Sequence, residues 1–171
     1  RYRKFWKDVD LIIWIVPLIL VHLSCFLIAS TQRNIAITHW YQHAITAYIG
    51  SLIAYYLAQI PIQDLRKYIR PIYFFTILTL LYVNFSGISA LGAKRWLGFA
   101  GLYIQPSEFA KLTLILILSS ILDRKRFSDL SHLIKPLLVS FLPWILVFIQ
   151  PDLGTSLVFG AILLGMLYWA G

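Results

Sequence analysis

Residues 105–122 read QPSEFAKLTLILILSSIL: an acid and a base three positions apart, Glu108 and Lys111, then eleven residues without a charge. A stretch so apolar reads as a helix inside a bilayer, where ionisable groups are costly, pair with one another and mark functional sites. Pro106 suits the first helical position, whose N–H has no partner in any case. Glu108 then falls near the third position, where free N–H groups and the helix dipole favour an anion by about 0.3–1 kcal/mol. That accounts for the acid without any function. It does not account for Lys111, which lies one turn deeper and gains nothing from a positive helix end. At i, i+3 the two share a face and can pair, and a pair is far cheaper to bury than either charge alone.

Further along, Gln150-Pro151-Asp152-Leu153-Gly154-Thr155 repeats the theme of a Gln-Pro step followed by an acid. If the helices that begin at 106 and 153 touch, Asp152 sits at the depth of Glu108 and Lys111. The expectation is then a Glu108–Lys111–Asp152 cluster lining a polar cavity, set against the plainer reading of a structural clamp.

The rest of the chain supports a membrane setting. Of 171 residues, 60% are hydrophobic and only 13% charged, a balance that fits a polytopic membrane protein and no ordinary soluble domain. Six spans are expected, at about 11–29, 42–59, 71–85, 106–122, 137–150 and 153–170. Together they make residues 1–171 a single all-α transmembrane helical bundle. Pro17 predicts a kink in the first span.

The net charge of +8 would suggest nucleic acid, but its distribution says otherwise. Arg1, Arg3, Lys4 and Lys7 precede the first span; Arg66, Lys67 and Arg70 separate the second and third; Arg124, Lys125, Arg126 and Lys135 separate the fourth and fifth. Eleven of fifteen basic residues thus share one side, which the positive-inside rule makes cytoplasmic, N-terminus included. Loops 30–41, 86–105 and 150–153 then face outward. Trp6, Trp40, Trp96, Trp144 and Trp169 fall near span ends, as interfacial tryptophans do. A lone cysteine, Cys25, excludes disulfides and cysteine metal sites. His22, His39, His43 and His132 have no ligand spacing, so no metal and no cofactor is expected, with divalent-cation dependence open. A start at Arg1 without methionine and a stop at Gly171 predict a piece of a longer chain.

The segment 86–105, SGISALGAKRWLGFAGLYIQ, reads as a pliable outward loop, with Gly87, Gly92, Gly98 and Gly101. Lys94 and Arg95 are adjacent cations on the side where positive charge is scarce, and Trp96, Phe99, Leu102 and Tyr103 give the loop an apolar edge. Cations beside interfacial aromatics suit an anionic headgroup, with arginine able to grip phosphate in a bidentate way. The plainer reading is snorkelling towards ordinary phospholipids.

GAKRW at 92–96, QPSEFAK at 105–111 and QPDLGTS at 150–156 together resemble the SEDS family of bacterial cell-wall proteins (RodA, FtsW and SpoVE) in motif, order and separation. The QPDLGTS form is closer to the RodA branch, with a division-type FtsW paralogue as the alternative. The resemblance implies a peptidoglycan glycosyltransferase of the elongation machinery with about ten membrane helices, of which six lie here. It would sit in the bacterial inner membrane, polymerise lipid II outside, and work with a class B penicillin-binding protein. The family's essential aspartate is expected in an outward loop after the seventh span, downstream of residue 171, so no catalytic residue is expected in this chain. Glu108, Lys111 and Asp152 match positions that shape the central cavity, and Gln105, Pro106, Ser107, Gln150, Pro151, Gly154 and Thr155 complete the motifs. Lys94, Arg95 and Trp96 are expected to meet the lipid II pyrophosphate, whose departure needs charge stabilisation. A lipid-linked precursor flippase, or a non-catalytic membrane scaffold for cell-wall synthases, would use the same helices without bond formation.

Overall fold

The computed structural model describes residues 10–31, 40–90, 93–99, 102–123 and 131–170. Arg1, Arg3, Lys4, Trp6, Lys7, Arg33, His39, Gly92, Gly101, Arg124, Lys125, Arg126 and Gly171 lie outside them. The chain forms two compact units, residues 1–64 and 65–171.

In the first unit α1 (Leu11–Thr31) packs on α2 (Trp40–Ala58). Asp10 caps α1, its Oδ1 accepting the Ile12 N–H at 2.9 Å. No residue of either helix is buried, as expected of helices that turn apolar side chains towards lipid. Polar contacts cross them: the Cys25 thiol donates to the Trp40 carbonyl at 3.7 Å, and His22 meets Tyr48. His22 Nδ1 lies 2.7 Å from the Leu18 carbonyl, which can only accept, so that nitrogen carries the proton. In the neutral ring Nε2 then accepts the Tyr48 hydroxyl at 2.8 Å.

The second unit starts at Leu65, the last residue of a helical turn Ile62–Leu65, and a 3-10 turn Arg66–Tyr68 leads into α3 (Ile69–Ser86). Three strands follow, β1 (Ile88–Ala90), β2 (Ala93–Phe99) and β3 (Leu102–Ile104), then α4 (Pro106–Leu122), α5 (Ser131–Ile149) and α6 (Leu153–Ala170). The segment expected to be a pliable loop is thus an antiparallel sheet in the order β1-β2-β3, with Ile88 opposite Trp96 and Leu97 opposite Ile104. Its runs are rich in aromatic and branched residues and are separated by glycine-bearing steps, a hairpin signal that the scattered glycines obscured.

α4 touches α3, α5 and α6 and forms the middle of this unit. Its buried residues Ala110, Leu114, Ile117 and Leu118 recur at helical spacing and meet Leu80 of α3, Leu146 and Val147 of α5, and Phe159 and Leu163 of α6 in one core. α5 begins at Ser131, not at the expected 137, because Pro136 does not break it. Pro136, Ser140, Pro143 and Val147 instead make its buried stripe.

Arg66 pairs with Asp123 at 3.1 Å, so the entry to α3 meets the exit of α4. The sheet therefore lies at the opposite end of the bundle from Arg66 and Lys67. Among the described residues four stretches, Leu11–Thr31, Ile62–Ser86, His132–Ile149 and Leu153–Ala170, are long and apolar enough to cross a membrane on their own. α2 has 19 residues but is diluted by Gln42, His43 and Thr46, and α4 has only 17.

Candidate functional site

The chemistry gathers at the sheet end of the second unit, around Asp152. This residue caps α6: its Oδ1 accepts the Thr155 N–H at 3.1 Å, and its carbonyl accepts both the N–H and the hydroxyl of Ser156. Its second oxygen, Oδ2, accepts the Gln105 amide at 3.3 Å and lies 3.8 Å from Arg95 Nη1. The Asp152 side chain is only 12% exposed and that of Arg95 30%.

Arg95 does more than meet the acid. Its Nε donates to the Gln150 carbonyl at 3.1 Å and its Nη2 to the Pro151 carbonyl at 2.5 Å. Carbonyls just past a helix end lack helical partners and carry the negative end of the dipole, so a guanidinium is favoured there. Gln150 is itself buried, with its amide 3.5 Å from the Leu80 carbonyl, which ties the same turn to α3. Three stretches far apart in sequence thus meet: KRW on β2, Gln105 before α4, and QPD before α6.

The expected Glu108–Lys111–Asp152 cluster does not form. Lys111 Nζ reaches Glu108 Oε1 at 2.8 Å, but Asp152 belongs to Arg95 and Gln105. The reason is where each acid sits. Asp152 stands outside the first turn of its helix, beside the sheet, while Lys111 lies a full turn inside α4. The Glu108 side chain is also 56% exposed. We therefore expect Lys111→Met and Glu108→Gln each to cost less than about 1 kcal/mol in unfolding measurements on the full-length protein. A loss above about 3 kcal/mol would mean that the pair is buried there.

The adjacent cations are separated as well. Successive residues of a strand point to opposite faces. Arg95 turns towards the 150–152 turn, whereas Lys94 is exposed and donates to the Phe85 carbonyl at the end of α3, at 3.2 Å. Trp96 is partly buried. Pro106 and Ser107 are both buried, and the Ser107 hydroxyl has no partner. A Cβ on Gly154 would meet Asp152 Oδ1 at 3.9 Å, an ordinary van der Waals contact, so packing does not demand a glycine there.

Between α3 and α4, against β2 and β3, lies a groove of about 340 Å³ that includes Phe75, Thr76, Leu97, Ile104, Phe109 and Thr113. Its lining is almost wholly apolar, and the Thr76 and Thr113 hydroxyls bond to each other at 3.2 Å. The sequence pointed to the motif residues but not to this groove or to the Arg95–Asp152 contact. A run of cations followed by an alternating aromatic stretch was the only local signal for either.

Comparison with known proteins gives consistent relatives. The model of the "Cell cycle protein" family of FtsW, RodA and SpoVE matches residues 5–171. A probable peptidoglycan glycosyltransferase FtsW of Aeromonas salmonicida is 32% identical over 96% of this chain and 44% of its own length. The peptidoglycan glycosyltransferase MrdB of Helicobacter pylori is 30% identical over 91% and 42%. The chain thus spans less than half the length of these relatives. The crystal structure of the rod shape determining protein RodA of Thermus thermophilus superposes with a TM-score of 0.78 at 25% identity, over 96% of this chain and 60% of that one. A structure on the coordination of polymerization and crosslinking by a peptidoglycan synthase complex gives 0.80 at 26% identity, over 95% and 47%.

Proposed function

The chain belongs to the FtsW/RodA/SpoVE family of cell cycle proteins, a family of multi-pass membrane proteins, and on that premise we propose that the full-length protein is a peptidoglycan glycosyltransferase that polymerises lipid II. The observation that carries this reading is the meeting of all three motif stretches at Arg95 and Asp152, beside an exposed cation and an apolar groove. A lipid-linked sugar needs a cation at its pyrophosphate and an apolar track for its tail. Lys94 supplies the first at the level of the sheet, with Trp96 beside it, and the groove under Leu97 and Ile104 suits the second. When an acceptor hydroxyl displaces the pyrophosphate, an ammonium nearby stabilises the charge that leaves. The base for that hydroxyl is expected in the outward loop beyond residue 171.

Purified full-length protein given lipid II tests the reading. Glycan strands are the expected product; transfer of the lipid across vesicles with no new glycosidic bond, or no reaction at all, would overturn it. The elongation branch is favoured by the QPDLGTS form at 150–156, and a class B penicillin-binding protein is the partner that the likeness to a synthase complex supports.

In the bacterial inner membrane, six spans with the N-terminus inside place the Arg66 end of the bundle in the cytoplasm and Lys94 outside. In a Cys25→Ser background, an impermeant thiol reagent added outside should label Lys94→Cys and spare Lys67→Cys. The reverse pattern would invert the topology.

A further inference from the structure

Resting on the glycosyltransferase reading, we infer that Arg95, Gln105 and Asp152 are positioning residues, a latch that fixes where the sheet presents Lys94 to the substrate pyrophosphate. The first ground is the state of the guanidinium. Arg95 Nε, Nη1 and Nη2 all point at protein acceptors, two carbonyls and a carboxylate, and Asp152 offsets its charge. A side chain so engaged is a poor bidentate grip for a phosphate. It is a good bolt.

The second ground is the sheet. β1 and β3 have three residues each, and so small a sheet is marginal unless it is held against something else. Its polar ties to the helix ends are Arg95, reaching the turn before α6, and Lys94, reaching the end of α3. The Lys94 bond is exposed and can be exchanged for an anion; Arg95 holds its Nε bond to Gln150 partly buried and its Nη2 bond to Pro151 exposed. Gln105 then carries the tie onward, because the residue that precedes α4 donates to the same Asp152 oxygen that faces Arg95.

The third ground is geometric. Three acceptors on consecutive residues, Gln150, Pro151 and Asp152, are met by one planar fork. A lysine ammonium on a flexible stem cannot meet all three in that arrangement, even though it keeps the charge.

The test uses the full-length protein in two measurements. In lipid II polymerisation, Arg95→Lys should lower kcat about 100-fold, the effect of misplacing a reacting group by about 1 Å, while KM stays near the wild-type value. Lys94→Ala, which removes the group itself, should lower kcat at least as much and raise KM as well. If Arg95 grips the pyrophosphate itself, Arg95→Lys raises KM and spares kcat, and the latch is overturned. The second measurement needs no turnover. In lipid-free protein lacking Cys25, the reaction rate of a Lys94→Cys thiol should shift at least tenfold when Arg95→Lys is added. An unchanged rate overturns the latch whatever the enzyme does. A wild-type protein that polymerises nothing strikes the glycosyltransferase reading, while the thiol rate still decides whether Arg95 sets the position of residue 94.

Discussion

Phe159→Ala should lower the unfolding free energy by about 3–5 kcal/mol, the largest loss expected from any single substitution in the helical core. Phe159 is 1% exposed and sits where α6 meets α4 and α5. With Ser156 and Leu163 it forms the buried stripe of a helix whose other faces are apolar but exposed. Removing the ring forfeits its contacts and leaves a void that packed neighbours fill only in part. Phe159→Leu should cost less, because most of the volume stays. Equilibrium unfolding in mixed micelles reads the difference. Near-wild-type stability for Phe159→Ala would mean that α6 presents another face to the bundle.

Asp152→Ala should cost about 2–4 kcal/mol, from two separate losses. The cap on the Thr155 N–H is worth about 1 kcal/mol. The remainder comes from a partly buried guanidinium left without its counter-charge and from the Gln105 amide left without its acceptor. Asp152→Asn keeps an oxygen for the cap but turns an amide towards two donors, so its cost should fall between wild type and alanine. Unfolding measurements on the three proteins should give that order, and an asparagine variant worse than alanine would contradict it.

How much of this could be read from the chain follows from which interactions are local. The start of α4 was legible because proline at the first position and an acid in the first turn are features of one short segment. The membrane character and the family were legible from composition and from three motifs taken in order. α5 extends six residues ahead of the expected 137–150 span, and packing against the bundle carries the helix through Pro136. The sheet was missed because its hydrogen bonds link separate runs, and glycines among them imitate a loop. Which face of α6 looks inward is invisible in a helix that is apolar all round. The partner of Asp152 was the largest misjudgement. Equal depth in the membrane suggested Lys111, but Arg95 reaches it from 57 positions away by strand pairing and side-chain length that no local pattern encodes.

Asp152 answers to Arg95 and not to the Glu108–Lys111 pair. Two double-mutant cycles on the full-length protein, read as unfolding free energies, test it most directly. Arg95→Ala with Asp152→Ala should show a coupling of about 1–3 kcal/mol, as residues in one ion-paired network do. Lys111→Ala with Asp152→Ala should add to within about 0.5 kcal/mol. Additivity in the first cycle and strong coupling in the second would contradict the account.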